Sequence, residues 1–113
     1  MVEETAYIPR RGDLVWIDFS PQSGHEQSGR RPAVCISPDA YNQKVGLSIF
    51  CPVTSVIKGY PFEVSLPSSL PITGVILIDQ VKSLDCHSRH IEYIDALPER
   101  TFSMVLSNLR TLI

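Results

Sequence analysis

No C-x-x-C pair occurs in the 113 residues, and the three cysteines, Cys35, Cys51 and Cys86, are odd in number. That count and spacing favour free thiols over a disulfide framework and offer no zinc ligand set. Cys35 and Cys51 lie in apolar runs, which reads as buried free thiols in a reducing compartment. Long hydrophobic stretches are also lacking. The run VILI at 75–78 falls far short of the roughly 20 residues that span a bilayer, and no signal-peptide pattern opens the chain. The expected location is the cytoplasm, with no membrane partner. Nor is there an excess of positive charge: 10 Lys and Arg against 12 Asp and Glu give a net −2. A protein that coats nucleic acid through bulk charge is thereby excluded. Charge runs, internal repeats and low-complexity segments are absent.

What is present suits one domain: 43% hydrophobic residues in a chain long enough to bury a core without staples. Residues 1–11 read as a lead-in and 12–113 as the domain. Charge is unevenly spread. Between residues 10 and 58 the bases Arg10, Arg11, Arg30, Arg31, Lys44 and Lys58 outnumber the acids Asp13, Asp18, Glu26 and Asp39; further on the balance reverses. A local cationic face is therefore compatible with the acidic total.

Alternation and β-branched or aromatic content predict strands at 12–19 (GDLVWIDF), 32–37, 47–56 (LSIFCPVTSV), 62–66 (FEVSL) and 75–84 (VILIDQVKSL), with a last short one at 91–94. Pro52 marks the third as an edge strand or a bulge. Residues 39–44 read as a turn or one helical turn ended by Gly46. After Pro98, the apolar residues Phe102, Val105, Leu106, Leu109, Leu112 and Ile113 trace one helical face. Pro98 suits an early helical position and Glu99 the positive end of the helix dipole. Five or six short strands and one C-terminal helix predict a mainly β fold, a small curved barrel or sandwich covered on one side.

The densest chemistry lies at 24–37 (GHEQSGRRPAVCIS). His25, Glu26, Gln27, Arg30 and Arg31 fall in a loop of about a dozen residues, which then enters a buried strand through Pro32. A loop that long in so small a domain is usually functional. Trp16 is assigned to core packing, with stacking on a base as its alternative; Tyr60 is a second stacking candidate.

The segments GDLVWIDF, GHEQSGRRPAV, NQKVG, CPVTS, KGYPFEV and DQVKSL, followed by the amphipathic tail, resemble in order the MazF/PemK family, the ribonuclease toxins of bacterial toxin–antitoxin pairs. The resemblance runs from about residue 12 to 113. It implies an SH3-like barrel with a C-terminal helix, a homodimer, and metal-independent cleavage of single-stranded RNA without a cofactor. It also implies silencing by a cognate antitoxin, acidic and extended, that folds on binding.

RNA carries its own nucleophile, the 2′-hydroxyl. Cleavage then needs a base, a cation or donors for phosphoryl charge, and an acid for the leaving oxygen. Arg31 matches the family's catalytic arginine before Pro-Ala, and its planar fork suits two phosphate oxygens. Glu26 matches the Gly-x-Glu-Gln loop as a general base. Thr54 matches the strand threonine that would bond the scissile phosphate. His25 is the PemK-like choice at its position and titrates where either proton transfer is feasible. Asp79 matches the aspartate of the PemK-like Asp-Gln pair, although Leu77 replaces the arginine two residues earlier. Gln27, Arg30, Ser55, Lys58, Gln80 and Lys82 are the candidate substrate contacts. The acidic connector at 85–95 departs from the more basic MazF-like pattern. Two competing readings are a gyrase poison of the CcdB type, sharing the fold but acting through its C-terminal helix, and a nucleic-acid-binding module without catalysis.

Overall fold

Alternating side chains decide how this sheet is buried. In β1 (Asp13–Asp18), Leu14 joins one apolar cluster while Val15 and Ile17 join the other, so the strand is covered on both faces. The computed structural model describes residues 7–19 and 29–113. Within them β1 is followed by β2 (Arg30–Cys35), α1 (Asp39–Val45), β3 (Leu47–Thr54), β4 (Glu63–Ser65), β5 (Val75–Leu77), β6 (Lys82–Asp85), β7 (Glu92–Ala96) and α2 (Glu99–Arg110). Pairing is antiparallel in the order β4-β5-β3-β2-β1-β7, and β6 also pairs β3. The sheet is not closed among the described residues, but its order and its covering helix are those of the expected mainly β, SH3-like architecture.

Two strand expectations need correction. Residues 75–84 are not one strand. A 3-10 turn at Ile78–Gln80 breaks them, because β5 and β6 must flank successive halves of the same edge of β3. This raises the strand count among the described residues to seven. β3 is also central rather than an edge. It pairs β2 on one side, with β6 up to Phe50 and β5 from Val53 on the other. Pro52 falls in the interval where that second edge changes partner, which is where a missing N–H is tolerated.

The larger cluster gathers Leu14, Val34, Cys51, Val53, Ile76 and Ile78 beneath α2, which contributes buried Val105 with Phe102 and Leu109 against it. The helix ends at Arg110, so the predicted stripe stops short: Leu112 and Ile113 are exposed. The second cluster, around Phe19, Ala33, Cys35 and Phe50, fills the other side of the sheet. A buried polar hub ties α1 to this framework. Asn42 Nδ2 donates to the Pro9 carbonyl at 2.9 Å and the Ser37 carbonyl at 3.2 Å, and the Ser37 hydroxyl donates to Asn42 Oδ1. Pro9 is therefore anchored, although it belongs to the stretch read as a lead-in.

Candidate active site

β2 begins two residues before Pro32, so Arg30 and Arg31 are strand residues rather than loop residues. Arg31 sits opposite Ile17 and Arg30 opposite Asp18 in the β1–β2 ladder. A strand gives a guanidinium a firmer base than a loop. The Phe19 N–H donates to the Gly29 carbonyl at 2.9 Å, and Gly29 takes φ +73°, a value that favours glycine. His25, Glu26 and Gln27 lie outside the described residues.

The C-terminal end of β3 meets Arg31 across a cavity of about 520 Å³. Arg31, Thr54, Ser55, Lys58, Tyr60, Glu63 and Gln80 line it, with Val56 and Leu77. Thr54 is buried, and its Oγ1 accepts the Val56 N–H at 3.2 Å. That bond spends a lone pair and leaves the hydroxyl proton available to an anion. Behind Thr54, Gly74 approaches so closely that a Cβ there would lie 2.3 Å from the Thr54 carbonyl oxygen. Gly74 also holds φ +136°. Glycine is required on both counts.

Carboxylates shape the opposite wall. Glu63 accepts the backbone N–H groups of Lys58 at 3.0 Å and Gly59 at 2.9 Å, which pins the turn carrying the lysine. The Tyr60 hydroxyl donates to Asp79 Oδ1 at 2.8 Å. Desolvation, then the Asp79 carboxylate, push the Tyr60 phenol up to about 12, so it stays protonated and a donor at neutral pH. The Cys51 thiol is pushed up to about 12 chiefly by burial. It is held as an inert core thiol.

A second cavity of about 500 Å³ shares Arg31 and Ser55 with the first. Its other walls include Trp16, Arg30, Pro32, Pro71 and Ile72. Trp16 is thus not a core residue as expected; it is half-buried at the cavity wall and joins neither apolar cluster. Arg30 donates to Glu92 Oε1 at 3.0 Å and to the His90 carbonyl at 2.6 Å. The acidic connector thus engages one of the two adjacent arginines.

Residues 10–113 match the model of the PemK-like, MazF-like toxins of type II toxin–antitoxin systems. The chain belongs to this family. It is similar to the endoribonuclease toxin MazF of Escherichia coli K12, with 52% identity over 83 residues, 74% of either chain. Among solved structures it is similar to MazF of Deinococcus radiodurans, at 51% identity and TM-score 0.90, covering 94% of this chain and 96% of that one. The MazE–MazF complex from the same organism gives 51% identity and TM-score 0.84 over the same shares.

The toxin fold thus brings six of the sequence candidates to one cavity: Arg31, Thr54, Ser55, Lys58, Tyr60 and Gln80. Asp79 is exposed and reaches this cavity through Tyr60. Arg30 belongs to the second cavity, and Lys82 lies on β6 opposite Phe50, lining neither. Glu63 was missed as a site residue. The signal for it was an acid placed just after a Lys-Gly turn, where a carboxylate can take both turn amides.

Proposed function

We propose that this toxin is a sequence-specific, metal-independent endoribonuclease acting on single-stranded RNA. The observation that carries the reading is the cavity that joins Arg31 to the Thr54 and Ser55 hydroxyls and to Lys58. Two cations and two hydroxyls within one hollow suit a phosphodiester that gains charge in the transition state. The 52% identity to an endoribonuclease toxin supports the same chemistry.

In this scheme the 2′-oxygen forms a bond to the adjacent phosphorus while the bond to the 5′-oxygen breaks. The products are a 2′,3′-cyclic phosphate and a 5′-hydroxyl end. Arg31 offsets the charge on the non-bridging oxygens, assisted by Thr54. Glu26 takes the 2′-hydroxyl proton, His25 contributes to proton transfer at the leaving oxygen, and Asp79 contributes by holding the Tyr60 hydroxyl. Gln27, Ser55, Lys58, Gln80, Arg30 and Lys82 hold the strand. No cofactor or metal enters this scheme.

The partner is an acidic antitoxin of the MazE type, in keeping with the MazE–MazF complex of Deinococcus radiodurans. Its carboxylates would cover the arginines of the two cavities. We assign the working form as a homodimer of the 12–113 domain. We also place it in the cytoplasm, where mRNA is available and the three free thiols stay reduced; no described helix is long and apolar enough to cross a membrane. The gyrase-poison alternative needs determinants on the C-terminal helix, whereas α2 commits Phe102, Val105 and Leu109 to the core.

The experiment is incubation of a long single-stranded RNA with the toxin in excess EDTA, followed by mapping of the ends. Cuts at one short sequence, with cyclic phosphate termini and suppression by the antitoxin, support the reading. An intact RNA in the presence of folded toxin overturns it.

A further inference from the structure

Trp16 stands out on β1. Leu14, Val15 and Ile17 are wholly buried, yet the largest side chain of the strand is only half-buried and faces a cavity. Trp16 lies two residues from Leu14 and so shares its face of the strand, where the apolar cluster gives way to the hollow. Pro32, its cross-strand partner, together with Pro71 and Ile72, completes flat, apolar walls. Arg30 and Arg31 stand at the same hollow. The two cavities meet at Arg31 and Ser55. Their linings differ: the first adds Thr54, Lys58, Tyr60 and Gln80 to the shared residues, whereas the second adds the Trp16 indole, the Pro32 and Pro71 rings and Ile72, beside Arg30 and Thr73.

We propose that the Trp16 cavity is a stacking subsite for the nucleobase on one side of the phosphodiester that Arg31 grips. The inference rests on the ribonuclease reading and adds to it the path of the strand. A phosphate at the Arg31 ridge sends its two flanking nucleosides in opposite directions. One enters the polar cavity, where donors and acceptors read its edge. The other lies against the indole and the proline rings, where every base has a π-face to offer. Sequence preference is therefore strict on the polar side of the cut and tolerant on the Trp16 side. The occupant is a base of the same RNA strand because the hollow shares Arg31 and Ser55 with the phosphate site, which places flat apolar walls one nucleotide from the gripped phosphate.

Trp16 is the single tryptophan of the chain, so its emission reports this cavity alone. The probe is a short RNA spanning the mapped cut site with a 2′-deoxy sugar at the cleaved nucleotide, which removes the nucleophile. Binding is expected to quench the emission saturably. An abasic nucleotide on one side of the cut abolishes the quenching, and on the other side leaves it. Trp16→Phe retains binding, whereas Trp16→Leu, of apolar but non-aromatic character, weakens it about 5- to 150-fold. Circular dichroism melts confirm that each variant is folded. Unchanged emission on saturating RNA, or equal affinity of wild type and Trp16→Leu, overturns the subsite while Arg31-dependent cutting upholds the activity. Quenching by an antitoxin peptide but not by RNA assigns the hollow to the antitoxin instead and also overturns the proposal. If no RNA is cut at all, both readings fall together.

Discussion

The Tyr60 hydroxyl donates to Asp79 Oδ1 at 2.8 Å, linking a cavity-lining phenol to a carboxylate on the 3-10 turn between β5 and β6. The bond gives Asp79 a role through its neighbour. It fixes the phenol at the wall that also holds Gln80 and Lys58. Such a role needs an acceptor oxygen and not a titrating acid. Asp79→Asn, whose amide oxygen still accepts, should keep cleavage within a few-fold of wild type. Asp79→Ala should lose roughly tenfold, the equivalent of one ordinary hydrogen bond of about 1.4 kcal/mol. Single-turnover cleavage rates check this. A loss in Asp79→Asn as deep as in Arg31→Ala would make Asp79 a proton-transfer group.

Gly74→Ala should damage the site through the backbone. The added methyl meets the Thr54 carbonyl oxygen at 2.3 Å, and the glycine φ of +136° adds strain. A cost of about 1–3 kcal/mol in stability is expected, with a loss of cleavage in the fraction that remains folded because Thr54 must shift. Thermal melts paired with rates at 20 °C below the lowered midpoint separate the two effects. An alanine variant with wild-type stability would contradict the packing described here.

Lys58 lies on a turn pinned by Glu63 and is exposed at the cavity rim. A phosphate contact at Lys58 would contribute to the salt dependence of RNA binding. Lys58→Ala should reduce the slope of log K against log salt by about 0.7, the value for one contact to a single strand. Affinity for the uncleavable RNA from 50 to 300 mM salt tests this. An unchanged slope would leave Lys58 as a solvated side chain.

The alkaline limb of stability should be steep. The ordinary pKa of a cysteine thiol is 9.0 and of a tyrosine phenol 10.0, and in the folded chain Cys51 and Tyr60 are both pushed up to about 12. The folded state holds these protons more tightly than the unfolded chain. Their stabilising contribution is complete below pH 9 and is lost as pH rises from about 9 to 12. Melts across that range should show a falling midpoint, and Cys51→Ala and Tyr60→Phe should each flatten the fall.

Much of this architecture was legible because its signals are local. GDLVWIDF alternates, Gly46 ends α1 with φ +76°, and the spacing of Phe102, Val105 and Leu109 marks the buried side of α2. The break at 78–80 was not legible. VILIDQVKSL reads as one strand until β3 requires partners on successive halves of one edge, a tertiary demand with no local mark. Trp16 was misplaced for a similar reason: alternation tells which face a residue takes, not where along that face the core stops. Within the site, Arg31 and Thr54 were legible by resemblance and meet across one cavity. The partnership of Tyr60 with Asp79, 19 residues apart, depended on the fold.

Arg31 is proposed to carry the phosphoryl charge during RNA cleavage. The direct measurement is the single-turnover rate on an RNA bearing one mapped site, in EDTA, for wild type, Arg31→Lys and Arg31→Ala, with melts run alongside. Arg31→Ala should cut about 10²–10³-fold more slowly, and Arg31→Lys should retain part of the rate, because it keeps the charge but loses the two-pronged grip. Melting should change little, because Arg31 is only half-buried and belongs to neither apolar cluster. Cutting by a folded Arg31→Ala at the wild-type rate would remove Arg31 from the reaction and move the chemistry away from this cavity.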